Sequence, residues 1–140
     1  MIQHVLRFRV RYPEVDAQGV VHHSRYLQYF EMGRVELLRS LGHAYADLER
    51  DGILFAVARV EVRYRAPARY DEELELTTRI ARQTAARIDH EYELRRGPTL
   101  LAEGRTTIVC VDRAGRLQPI PDRLAGDACD HLPRSAASER

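Results

Sequence analysis

The chain contains no lysine, no asparagine and no tryptophan, and only two of its 140 residues are cysteine. Cys110 and Cys129 stand 19 apart, which matches no metal-ligand spacing and no disulfide framework; they read as one core thiol and one tail thiol, both reduced. No stretch approaches the roughly 20 consecutive apolar residues that span a bilayer. The opening MIQHVLRFRVRY alternates charged and apolar positions and lacks the continuous apolar run of a signal peptide, so a cytoplasmic protein is expected. There is no excess charge of either sign: the net is +1, which argues against nucleic acid or anionic lipid as a bulk partner. Internal repeats and low-complexity blocks are also missing. All 22 basic residues are arginine, a bias that reads as genome base composition, although arginine is also the side chain suited to bidentate phosphate contacts.

What is present is ordinary globular composition, 44% apolar and 31% charged. A chain of this length is one domain, able to hide roughly two-thirds of its unfolded surface. The domain is placed at residues 1–128, with 129–140 a polar, frayed tail. HVLRFRVRY (4–12) reads as a strand, with Val5, Phe8, Val10 and Tyr12 toward one face. Residues 13–23 form a loop punctuated by Pro13 and Gly19.

From Ser24 to Leu41 the period becomes helical. Tyr26, Phe30, Gly33, Leu37 and Leu41 make the apolar stripe, widened by Leu27 and Leu38. Ser24 is placed as the N-cap and Gly42 as the C-terminal glycine, with Glu31 and Arg34 as an i, i+3 pair. A weaker helix covers 43–50. Strands follow at 55–65, 73–81, 87–96 and 100–112. Their inward faces are Ala56/Ala58/Val60/Val62/Tyr64, Leu74/Leu76/Thr78/Ile80 and Ile88/His90/Tyr92/Leu94 for the first three. One long helix against five or six antiparallel strands is an α+β arrangement. It leaves sheet edge and apolar surface open, so pairing with a second copy is expected.

The stretch YPEVDAQGVVHHSRYLQYFEMGR (12–34) sets one carboxylate, Asp16, beside Gly19 and just ahead of the helix. Backbone N–H groups of a first helical turn lack intrahelical partners and carry the positive end of the macrodipole. An acid and a set of free donors thus come within reach of one small electrophile. Gly19 allows close approach of the backbone. Glu14, two residues before Asp16, reads as a solvated acid, and His22 is given no chemistry.

Tyr12, Asp16, Gly19-Val20-Val21, His23, Tyr26 and the helical YFEMGR of 29–34 resemble the signature of the hotdog-fold acyl-CoA thioesterases. The branch is that of 4-hydroxybenzoyl-CoA thioesterase and the YbgC-type enzymes. VRYRAPARYDEELELTTRI and VCVDRAGRLQPIP support the likeness, which covers roughly residues 4–124. It implies a hotdog fold: a curved antiparallel sheet of five to six strands wrapped around one long central helix. It also implies a homodimer, commonly paired into a tetramer, whose sites lie at the interface. The implied activity is hydrolysis of a short-chain aliphatic or aromatic acyl-CoA, needing no metal and no cofactor beyond the coenzyme A of the substrate.

Carried over, Asp16 is the catalytic base or nucleophile, and the backbone N–H of His23 is the oxyanion donor. The His23 side chain is a candidate assistant. Tyr12, Gly19, Val20 and Tyr26 are assigned to substrate binding, although Tyr26 also falls on the core stripe. Arg59, Arg63, Arg65, Arg69, Arg82, Arg87, Arg95 and Arg96 form the pool for coenzyme A phosphates. Two other readings are open on the same fold. One is a non-catalytic acyl-CoA-binding module, which has no reason to keep Asp16. The other is a hydratase, for which no second acid–base pair is visible.

Overall fold

A computed structural model describes residues 2–121 and 124. Cys129 and the 129–140 tail lie outside the described residues. In chain order the elements are β1 (Gln3–Arg9), a 3-10 turn (Tyr12–Glu14), α1 (Arg25–Ser40), α2 (Tyr45–Arg50), β2 (Leu54–Tyr64), β3 (Glu73–Gln83), β4 (Ile88–Arg96), β5 (Thr99–Val111) and β6 (Leu117–Gln118). The sheet runs β1-β3-β4-β5-β2, antiparallel throughout, with β6 added to the end of β5. This is the α+β hotdog arrangement, with α1 packed on one face.

Two glycines fix how closely α1 approaches the sheet. A Cβ on Gly33 would lie 2.8 Å from Leu76 Cδ2, and nearer still to Thr78 Oγ1. On β5, a Cβ on Gly104 would come within 2.6 Å of Phe30 Cζ. Phe30 therefore lies flat over the sheet, its ring stacked on Tyr92 of β4 at 4.3 Å and 12°. Phe30 is wholly buried, so its ring has nowhere to yield. Gly104→Ala is accordingly expected to cost about 2–3 kcal/mol by overpacking. Its coupling with Phe30→Leu in a urea-denaturation double-mutant cycle should be about 1 kcal/mol or more, because the smaller side chain makes room for the methyl.

The inward faces read for β3 and β4 are as expected: Leu74, Leu76, Thr78 and Ile80, then Ile88, His90, Tyr92 and Leu94, are all buried. β1 differs. It ends at Arg9, its inward residues are His4, Leu6 and Phe8, and Val5 is 42% exposed. Val5 and Phe8 have opposite parity in a strand and so cannot share its inner face. The expected face of β2 also fails, because a bulge between Val57 and Arg59 shifts its register on β5. Past the bulge Val60 and Tyr64 are exposed, on a strand that forms the sheet edge.

On α1 the buried residues are Tyr26, Tyr29, Phe30, Gly33, Arg34 and Leu37. The stripe widens toward Tyr29 and Arg34; Leu27, expected to widen it, is 40% exposed. No ion pair joins Glu31 to Arg34 among the described residues, because Arg34 turns into the core while Glu31 faces solvent. No helix of the described residues is long and apolar enough to cross a membrane.

Candidate active site

Between β1 and α1 the chain makes a miniature hairpin. Pro13 opens the 3-10 turn, and Val15 and Val21 then pair across the loop that holds Asp16 and Gly19. Asp16 N–H donates to Val20 O and Gly19 N–H donates to Asp16 O, both at 2.9 Å. Gly19 has a φ of +78°, the left-handed position that such a loop requires and that glycine adopts freely. A Cβ there would meet nothing within 4 Å, so conformation alone demands glycine within this chain. Val20 pairs with Arg69, and Val21 N–H donates to Ala68 O at 2.8 Å, which docks the hairpin on the segment after β2.

The turn also holds the Asp16 side chain. Its Oδ1 accepts the Gln18 N–H at 2.8 Å, an Asx turn. Oδ2 takes no hydrogen bond among the described residues.

Glu14 corrects the sequence reading. It is 4% exposed, and its carboxylate joins the loop to the helix. Oε1 accepts the Arg11 N–H at 2.8 Å and the Tyr29 hydroxyl at 3.0 Å; Oε2 lies 3.4 Å from the Arg11 guanidinium. Burial, then the neighbouring Glu14 charge, push the Tyr29 phenol far above its usual range, so it remains a donor. Glu14→Leu would leave both donors without an acceptor, one of them buried, and should cost about 2–3 kcal/mol in chemical denaturation. Glu14→Gln keeps an acceptor oxygen and should cost less than half as much. The available signal was the Tyr-Pro-Glu triplet itself, a 3-10 turn whose third residue can reach back to its own cap.

The start of α1 is also held differently from expectation. Ser24 has helical angles and makes no side-chain cap. Its N–H donates instead to His22 Nδ1 at 3.2 Å, and its Oγ lies 2.8 Å from the same nitrogen. The His22 ring thus takes the place of a capping side chain, with the His23 ring tilted against it at 4.2 Å. The His23 carbonyl accepts the Tyr64 hydroxyl at 2.9 Å, while its N–H has no acceptor among the described residues.

Beside this N–H lies an open cleft of about 300 Å³, lined by Val21, His23, Tyr26, Tyr64, Ala66 and Pro67 among others. Tyr26 is 3% exposed, with its phenol oxygen accepting the Ala68 N–H at 3.4 Å. It serves both as core and as cleft wall. Asp16, Gly19 and Val20 form the turn just before Val21 in the chain, and Val21, His23 and Tyr26 line the cleft. Tyr12 stands apart: it is 74% exposed and rests edge-on against Tyr70 at 5.4 Å. It belongs to the 3-10 turn and not to a strand end.

Among the arginine pool, Arg65 pairs with Glu103, Arg96 with Glu72, Arg95 with Glu93, Arg87 with Asp89 and Arg59 with Glu61. Arg63 and Arg69 have no ion pair among the described residues, and Arg69 lies against the Asp16 hairpin through Val20. No group of three or more metal-ligating side chains is found among the described residues.

Comparison with known proteins gives the family of the chain. A family model described as the thioesterase-like superfamily matches residues 10–127. The acyl-CoA thioesterase YbgC of Haemophilus influenzae is 34% identical over 113 residues, covering 80% of this chain and 82% of its own. The acyl-CoA thioester hydrolase YbgC of Escherichia coli O6:H1 is 35% identical over 105 residues, covering 74% and 78%. A solved hypothetical protein from Thermus thermophilus superposes with a TM-score of 0.86 at 37% identity, over 91% of this chain and 98% of its own. The DHNA-CoA thioesterase of Staphylococcus aureus superposes with a TM-score of 0.83 at 30% identity, over 93% and 88%. With the family model spanning most of the chain and relatives above 30% identity, this protein belongs to the hotdog-fold acyl-CoA thioesterase family.

Proposed function

We propose that the protein hydrolyses acyl-CoA thioesters to a free acid and coenzyme A, with Asp16 as the catalytic carboxylate and the His23 N–H as oxyanion donor. The observation that carries this reading is the Asp16 turn. One carboxylate oxygen is anchored and the other takes no hydrogen bond among the described residues, in the loop that runs into a helix start where the His23 N–H has no partner among the described residues and His23 lines an open cleft. Two routes use this arrangement. Oδ2 takes a proton from water, and the hydroxide adds to the carbonyl carbon. Alternatively, Oδ2 adds to the carbonyl carbon itself, and water then opens the mixed anhydride. In both, the oxyanion is held by the His23 N–H, a contact worth roughly 3–4 kcal/mol when well placed. The C–S bond breaks and the thiolate leaves, taking up a proton.

The substrate class is a short aliphatic or an aromatic acyl group. Arg69 is the favoured contact for a coenzyme A phosphate, since it borders the Asp16 hairpin and has no carboxylate partner among the described residues. The working form is a homodimer, or a dimer of dimers, in the cytoplasm. β2 supports this as a sheet edge with no further strand on it among the described residues, Val57 being 50% exposed along it and Tyr64 50% exposed where it lines the cleft. A second copy would close the open side. Neither a metal nor a further cofactor enters the scheme.

The test is steady-state release of free thiol from acetyl-, hexanoyl-, dodecanoyl- and benzoyl-CoA. Turnover of at least one is expected. Tight binding of these esters without hydrolysis would replace this reading with an acyl-CoA-binding module. His23→Ala keeps the backbone donor, so it should lower kcat by less than about tenfold, the range left to an assisting imidazole below a full general base.

A further inference from the structure

Among the described residues the interior encloses one cation in addition to the Glu14 carboxylate. Arg34 is 8% exposed on the inner face of α1, and a guanidinium stays protonated under all conditions the fold survives. Among the described residues no carboxylate lies within ion-pair distance of it, and the contacts it does make are to neutral phenols. Nη1 donates to the Tyr92 hydroxyl at 3.2 Å, and Tyr45 is a second hydrogen-bonding partner. Nε has none. A buried charge without a counter-charge is strongly unfavourable, several kcal/mol even after relaxation.

Two more buried nitrogens share this condition. Gln83 Nε2 and His90 Nδ1 have no hydrogen-bond partner, in residues 1% and 7% exposed. Arg34, Gln83 and His90 line the same pocket of about 30 Å³ between α1 and the sheet, whose other walls include Leu37, Tyr45, Ile80 and Ile108. One water needs roughly 10–15 Å³ of such volume, so the cavity takes a single small species and no acyl chain. In that lining the Arg34 guanidinium and the Gln83 amide nitrogen can only donate, and His90 Nδ1 donates in one tautomer. A water accepts two hydrogen bonds, must place two of its own, and leaves the charge uncompensated. A monatomic anion accepts from every direction and supplies the missing charge.

We propose that Arg34, Gln83 and His90 form an internal halide site that holds one chloride ion between α1 and the sheet. The ion is structural. It belongs to the half of the core around Leu37 and Ile108, whereas Asp16 and the cleft sit at the other end of α1. Chloride thus binds the folded chain and not the unfolded one, and stability follows its concentration.

The test is thermal unfolding in sodium chloride and sodium bromide against sodium gluconate, at constant ionic strength. In wild type the folded-to-unfolded ratio should rise about tenfold per decade of halide above its Kd. Arg34→Met should show no difference between halide and gluconate. Gln83→Met gives a second comparison if Arg34→Met does not fold, and should weaken the halide response at least tenfold. A crystal grown in bromide should show an anomalous peak in contact with all three side chains. The proposal is overturned by equal stability in halide and gluconate, or by an undiminished halide response in both variants. It is equally overturned by a water or a carboxylate of the chain itself seated at Arg34, or by bromide bound in the crystal with no effect in solution.

Discussion

Asp16→Asn should lower kcat for acyl-CoA hydrolysis by about 10³-fold while leaving the fold intact, which corresponds to roughly 4 kcal/mol of transition-state stabilisation. The reason for separating these effects is in the turn. The amide side chain would keep an oxygen able to accept the Gln18 N–H, so the Asx turn and the hairpin survive. Only the free oxygen changes, from a base or nucleophile to an amide nitrogen. The unfolding free energy should therefore stay within about 0.5 kcal/mol of wild type, the range of a substitution that disturbs no buried contact. Full activity in the Asp16→Asn variant would remove Asp16 from the chemistry altogether. The two routes are then separable by single turnover of the wild type in H₂¹⁸O. A mixed anhydride opened at the Asp16 carbonyl leaves ¹⁸O in the Asp16 side chain, whereas general-base attack places it only in the released acid.

The second large effect is loss of stability in acid, traced to His90. Its imidazole faces Arg34 from α1, Tyr92 on its own strand and Thr106 across on β5. Burial first, and then the Arg34 charge, lower its pKa to about 3. The folded chain thus holds His90 neutral where the unfolded chain, with an ordinary value near 6.5, protonates it. The unfolded state therefore binds more protons between these limits. The stability is fully present above about pH 6.5 and is lost as the pH falls toward 3, by on the order of 1 kcal/mol per pH unit. His90→Leu removes the titrating group. The wild-type minus variant difference in unfolding free energy, measured in gluconate buffer free of halide, should fall steadily from about pH 6.5 to about pH 4. A flat difference would show that His90 is not held neutral in the folded core.

The sequence was most informative where one face of an element meets a single surface. β3 and β4 lie in the middle of the sheet with α1 on one side, so burial alternates along them and Leu74 to Ile80 and Ile88 to Leu94 could be read directly. The helix span, its terminal Gly42 and the Asp16–Gly19 turn were legible for a similar reason: each rests on local backbone chemistry within a few residues. β2 was not, because an edge strand tolerates the bulge at Val57/Arg59, and a one-residue shift reverses every face beyond it. The capping role of His22 was hidden by a stronger local signal, the serine that follows it.

By itself, then, the sequence determined the element order, the inner faces of the central strands and the acid placed before the helix, since these depend on periodicity and short-range hydrogen bonding. Tertiary structure alone decided the two charged groups of the interior. Glu14 is buried because Tyr29, one turn inside α1, comes back over the 3-10 turn to meet it. Arg34 is buried because Gly33 and Gly104 bring the helix so close to the sheet that its next side chain must enter the core beside Tyr92. Which charges a fold encloses is set by how closely its layers approach, and that distance is not written in any single segment.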